Sequence, residues 1–171
     1  MGRPAATAEN HSVLKDQWRE ADFLAGYLCG LSGICDMQGY FQECMPDYTP
    51  YSLKDSIDSM SEGLMHGELI DNLIMGLFNL NFAMTDYEET LASHGCTKLH
   101  LSKDVQEWNE VRHGITHESM SVINAKIGEH LADAHASSQE MEQAWAVQDY
   151  LTAGLKAAEI AKIATHDCLQ A

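Results

Sequence analysis

Apolar residues recur at every third or fourth position along most of this chain, while the strict alternation of a half-buried strand is nearly absent. The pattern predicts an all-α protein, a five- to six-helix bundle. A first helix follows an N-cap at Ser12 and carries the stripe Leu14, Trp18, Ala21, Ala25 and Leu28, fading near Ser32 and Gly33. Gly26 and Gly30 lie one turn apart on it, where they would let a second helix pack closely. Residues 33–51 are the one irregular stretch. Gly39, Pro46 and Pro50 argue for a loop there, and Tyr40, Phe41, Tyr48 and Tyr51 argue that the loop packs down.

Helix resumes with Ser52 as N-cap and the stripe Leu53, Ile57, Met60 and Leu64; Gly63 and Gly67 then predict a break around Met65 and His66. The next helix, about 68–93, is apolar on most sides through Ile70, Leu73, Ile74, Leu77, Phe78 and Phe82, as befits the middle of a bundle. His94-Gly95 ends it. Ser102 opens a helix with Val105, Trp108, Val111 and Ile115 on one face, which Thr116 either continues or restarts. Met120, Ile123, Ile127, Leu131, Ala134, Met141 and Trp145, then Leu151, Leu155, Ala158 and Ile163, carry the spacing onward. Ser137 with Glu140 resembles a capping box and predicts a turn at 136–139.

The length, 171 residues, suits one helical domain over 1–171, with residues 1–11 as a polar N-terminal extension. Charge narrows the partners. Against 26 acidic residues stand 10 basic ones, a formal net charge of -16, and residues 55–97 contain no Lys or Arg at all. Such a surface repels phosphate backbones, so nucleic acid is not an expected partner. Leu69 to Met84 is the most apolar stretch, but it is too short and too polar for a transmembrane segment. Residues 1–10 lack the apolar core of a secretory signal.

Cys29, Cys35, Cys44, Cys96 and Cys168 form no CxxC, which leaves zinc-ribbon and thioredoxin-type sites without support. They are either free thiols used as small hydrophobes or a set with one or two bridges and a spare. If a bridge exists, Cys44 to Cys96 is the expected one, because both lie in loop-like sequence beside predicted helices. Paired cysteines would imply secretion or an organelle lumen, and free ones the cytoplasm.

No cofactor is implied. Metal-ligand spacing occurs at Glu110, His113 and His117, which share a helix face at i, i+3 and i+7 and could converge on one divalent ion. Solvated surface histidines on an acidic helix explain the same residues, a second E-x-x-H for a di-metal bundle is absent, and Gly114 reads as a helix end that would spoil the spacing. Asp86-Tyr87-Glu88-Glu89 lacks the ligand loop of an EF-hand, and no nucleophile motif or phosphate loop occurs. Met60, Met65, Met75 and Met84, with Phe78 and Phe82, form either core or an adaptable groove for an apolar small ligand or a partner helix. Cys168-Leu169-Gln170-Ala171 formally fits a prenylation box without adjacent basic residues.

Phe23-Leu24-x-Gly26-x-x-x-Gly30-Leu31, then Cys44, then helices ending at Cys96, resembles uncharacterised small helical proteins of ciliates and other protists over about residues 20–100. That resemblance implies a Cys44–Cys96 pair and no activity; Cys29 and Cys35 depart from it. Together these features lead to the expectation of a non-enzymatic structural or interaction protein, a subunit working beside other protein subunits. The alternative is a helical bundle that binds a small ligand or a metal.

Overall fold

The computed structural model describes residues 18–44 and 51–165, and among these residues there are helices and no strand. In chain order the helices are α1 (Arg19–Ser32), α2 (Gln38–Cys44), α3 (Tyr51–Leu64), α4 (Ile70–Ser93), α5 (Leu101–Asp104), α6 (Gln106–His117), α7 (Met120–Glu129), α8 (Leu131–Ala146) and α9 (Tyr150–Thr165). The bundle is therefore all-α as expected, with the longer predicted helices divided by short breaks.

Two helix pairs make the most extensive contacts, α1 with α9 and α3 with α4. Small residues permit both. A Cβ placed on Gly26 would collide with the Leu151 carbonyl, and one on Gly154 with the Phe23 carbonyl. At the other crossing, Gly63 faces the backbone of Gly76. Backbones that approach this closely bring the flanking large side chains into register. Phe23, Leu24, Tyr27 and Leu28 of α1 join Leu53, Ile57 and Met60 of α3, Leu77, Leu80, Met84 and Tyr87 of α4, Trp108 of α6 and Ile160 of α9 in one continuous core. Trp108, Tyr27, Tyr87, Phe23 and Phe41 are its largest fully buried side chains. Tyr27 meets Trp108 edge-on at 5.7 Å between ring centroids, and Phe41 meets Tyr87 at 5.1 Å.

Several boundaries fall where the sequence places them. The α1 helix ends at Gly33, whose φ of 79° belongs to the left-handed region and whose N–H donates to the Cys29 carbonyl at 2.8 Å. Turns occupy residues 65–68, and Gly95 with φ 73° follows α4. The Ser12 cap and the 1–11 extension lie outside the described residues.

Other expectations fail for local reasons. The stretch 33–51 is not all loop, because it holds α2, from which Phe41 and Cys44 pack into the core, with Met37 buried just ahead of it. Ser52 sits inside the first turn of α3 and does not precede it. Gly114 does not end a helix: it is buried within α6, where an added Cβ would lie 3.0 Å from Thr165 of α9. No turn occurs at 136–139, which is the middle of α8. The serines that look like a cap there act as tertiary donors. Ser137 donates to Glu159 at 2.7 Å, while Ser138 donates to the Leu64 carbonyl at 2.6 Å and accepts from the Gly67 N–H at 3.0 Å. The chain instead reverses at 147–149. Gln148 takes a φ of 61°, and the Asp149 carboxylate accepts from the Thr152 N–H at 3.2 Å in the manner of an N-cap.

Four cysteines pair. Cys44 and Cys96 form a disulfide with their Cα atoms 6.0 Å apart, and Cys29 and Cys35 form another at 4.5 Å. Two bridges fit an oxidising compartment. Cys168 lies outside the described residues.

Candidate functional site

The densest polar network joins α4 to the α5–α6 corner. Glu88 of α4 is its centre. Its Oε1 accepts from the Ser102 hydroxyl and, at 2.6 Å, from the Trp108 indole N–H; its Oε2 accepts from Arg112 at 2.8 Å. Arg112 also donates to Ser102 Oγ at 2.9 Å and to Thr85 Oγ1 at 3.0 Å. Asn109 donates to the Ser102 carbonyl at 2.6 Å. A carboxylate with donors on both oxygens, beside a hydroxyl already held by a guanidinium, is built to anchor helices. It is poorly placed to take a proton, since Ser102 Oγ accepts from one neighbour and donates to the other.

Beside this network opens a cleft of about 280 Å³, walled by Leu91, Ala92, Cys96, Leu99 and Leu101, with His100 and Lys103 adding polar groups. The loop over it is held from the far side. Cys96 is bonded to Cys44, the Lys98 N–H donates to the Tyr40 hydroxyl at 2.9 Å, and the Lys98 ammonium lies 5.4 Å from the Tyr40 ring centroid.

A second polar brace lies at the N-terminal end of α1. Glu20, only 2% exposed, pairs with Arg19 at 2.8 Å; Arg19 also reaches Asp58 of α3 at 2.7 Å and lies 5.6 Å from the Trp145 ring centroid of α8. Burial opposes the guanidinium charge, but Glu20 and Asp58 outweigh it and hold its pKa above the ordinary value. Nearby, burial raises the pKa of Asp22 against the hydrogen bonds of Gln42 and Gln38, with a further push from Asp149.

The predicted ligand set stands apart from both. Glu110, His113 and His117 all lie exposed on α6. The two imidazoles stack with centroids 4.1 Å apart, His117 Nδ1 lies 3.2 Å from the His113 carbonyl, and Glu110 accepts from Gln106 at 2.7 Å. Among the described residues, no group of three or more His, Cys, Asp or Glu side chains is arranged to hold a metal ion.

The Met/Phe groove separates into two sets. Met60 and Met84 are fully buried, Met65 and Phe78 half-buried, whereas Met75 and Phe82 are 59% and 60% exposed. So, among the described residues, α4 is not enclosed on all sides. Its outer line reads Asp71, Met75, Phe78, Phe82, Glu89, positions that fall within an arc of roughly 60°. Asn81, beside Phe82, donates to Thr116 of α6 at 3.3 Å. One turn beyond Thr116, Met120 and Val122 are also exposed.

No family model, curated protein or solved structure matches this chain. The site must be read from its own geometry. Sequence reasoning missed Glu88, Ser102 and Arg112 as a unit because their contacts join residues 10 to 24 positions apart. The one signal available was Glu88 in a window without basic residues, which obliges any partner cation to come from elsewhere. No described helix is long and apolar enough to cross a membrane.

Proposed function

We propose that this protein is a non-catalytic, disulfide-braced helical bundle that works by protein interaction, as a subunit of a larger assembly, through the outer face of α4. One observation carries the reading. Met75 and Phe82, large apolar residues on a helix otherwise committed to the core, project into solvent two turns apart. Single exposed apolar residues are ordinary, but an aligned pair bordered by half-buried Phe78 makes a face rather than an accident. The surrounding architecture supports a fixed display. The Glu88 network ties the C-terminal half of α4 to α5 and α6, and the Gly63–Gly76 crossing ties its first half to α3.

A photo-crosslinking phenylalanine analogue at Phe82, in the cells that make the protein, tests this. Discrete adducts are expected from position 82 and none from Gly128, an exposed site where an added Cβ would meet no neighbouring element within 4 Å. Equal adducts from both positions, or none from 82, would refute the reading.

A second reading rests on the cleft at Leu91, Leu99 and Leu101. Its apolar walls and volume suit a small apolar ligand. Bound material of one mass, released on denaturation and displaced by Ala92→Trp, would favour it.

A further inference from the structure

We infer that the occupant of the α4 face is a basic amphipathic helix of another protein. The inference rests on the interaction reading above and adds the chemistry of the partner. Along the outer line, acidic residues bracket the apolar ones, with Asp71 before Met75 and Glu89 after Phe82. Glu68 stands exposed just ahead of the helix, and Asp55 and Glu62 are exposed on neighbouring α3. Among the described residues, none of these five carboxylates forms an ion pair. Arg19 is engaged by Glu20 and Asp58, and Arg112 by Glu88, while Lys54, exposed beside Asp55 on α3, forms no ion pair with any of the five among the described residues. Residues 55–97 supply none of their own.

The shape and charge select among occupants. Asp71 to Glu89 spans roughly 27 Å at helical rise, the length of a helix of about 18 residues. A helix with its own apolar stripe can lay that stripe on Met75, Phe78 and Phe82, while Lys or Arg toward its ends meets Asp71, Glu68 and Glu89. A second copy of this chain is disfavoured, since each copy carries a net charge of -16 and would set carboxylates against carboxylates at both ends of the stripe. An anionic lipid surface is disfavoured for the same reason.

The probe is a synthetic leucine–lysine helix of about 18 residues with its leucines on one face, compared with the same peptide carrying glutamine in place of lysine. Binding to the intact protein is followed by fluorescence anisotropy. The lysine peptide should bind at least about tenfold more tightly than the glutamine peptide. The double variant Met75→Ser/Phe82→Ser should weaken it by about tenfold, and the triple variant Glu68→Gln/Asp71→Asn/Glu89→Gln should remove the preference for lysine. Both variants change exposed side chains, and unaltered circular dichroism shows that each is folded. Binding of the lysine peptide that is indifferent to the double variant would mean general attraction to an acidic surface and would overturn the proposal. Equal binding of the two peptides would overturn the basic partner alone. Adducts at position 82 together with failure of both peptides would likewise remove this partner and leave the face standing.

Discussion

The α1–α9 crossing offers the sharpest quantitative test. Gly154→Ala adds one methyl group, and its Cβ would collide with the Phe23 carbonyl and lie 2.7 Å from the Tyr27 amide nitrogen. Both obstacles are helical backbone, so no side-chain rotation can relieve them. The helices must separate, and a gap of 0.5 to 1 Å already forfeits about a quarter to a half of the dispersion attraction across it. Overpacking against rigid surroundings costs about 3 kcal/mol at the upper end of its usual range. Alanine's better helix propensity returns at most about 1 kcal/mol. The net loss is then about 2 kcal/mol or more, or roughly 4 to 8 °C in Tm for a chain of this size. Denaturant unfolding with disulfides intact measures it directly. Gly128→Ala provides the control: a Cβ added to this exposed helical glycine would meet no neighbouring element within 4 Å, and the substitution should raise stability by up to about 1 kcal/mol. A Gly154→Ala protein as stable as the parent would refute the packing argument.

The two disulfides should contribute unequally, because their loops differ. The Cys44–Cys96 bridge spans 52 residues and Cys29–Cys35 spans 6, so replacing each pair by serine should cost about 4 and about 2 kcal/mol in the chain-entropy model, read from urea midpoints. Burial raises the phenol pKa of Tyr27 and of Tyr87, the latter also through Tyr40 and Asp22. Unfolded phenols lose protons near pH 10 while these two stay protonated, so the unfolded state binds fewer protons there and stability falls as pH rises above about 10. In a spectrophotometric titration both should ionise only with the loss of helical circular dichroism; earlier ionisation would show them to be accessible. For Asp22 the raised folded-state pKa means that stability is gained as pH falls through that pKa and lost as it rises, so Asp22→Asn should be more stable than the parent at neutral pH and should flatten this dependence. Arg112→Met strips Glu88 of its ion pair and should cost about 2 kcal/mol in denaturant unfolding, with altered near-ultraviolet dichroism from Trp108.

Periodicity made the architecture legible because burial acts on each residue separately. Leu53, Ile57, Met60 and Leu64 point inward whatever lies opposite, so their spacing alone reveals α3. Gly26 and Gly30 were legible for a similar reason, since small residues one turn apart have few other uses. What escaped depends on partners. Ser137 and Ser138 look like a cap until Glu159 and Leu64 are brought beside them. Gly114 looks like a helix end until Thr165 is packed against it. Gln148 gives no warning of its left-handed backbone. The Glu88 network was invisible altogether. The Cys44–Cys96 pair was within reach because both residues flank predicted helices, whereas the short Cys29–Cys35 bridge closes over a helix end that the sequence places without its geometry.

The same logic explains why α4 was misread as a central helix, and why that misreading is informative. Apolar residues on nearly every side of a helix normally mean protein on every side. The inner sides are satisfied by Leu73, Leu77, Leu80 and Met84, whereas on the outer side Met75 and Phe82 stay mostly exposed among the described residues. Met75 and Phe82 are 59% and 60% exposed, so serine at both would remove only the covered minority of their surface: the double serine variant should unfold within about 2 kcal/mol of the parent. Exposed apolar groups on a rigidly braced helix also carry a standing risk of aggregation, against which the flanking carboxylates and the charge of -16 act. A feature that adds little to folding and invites misassociation accords with the binding face proposed above. On that proposal, the carboxylates that set one copy's face against another's by charge are the same groups that would draw in a cationic helix.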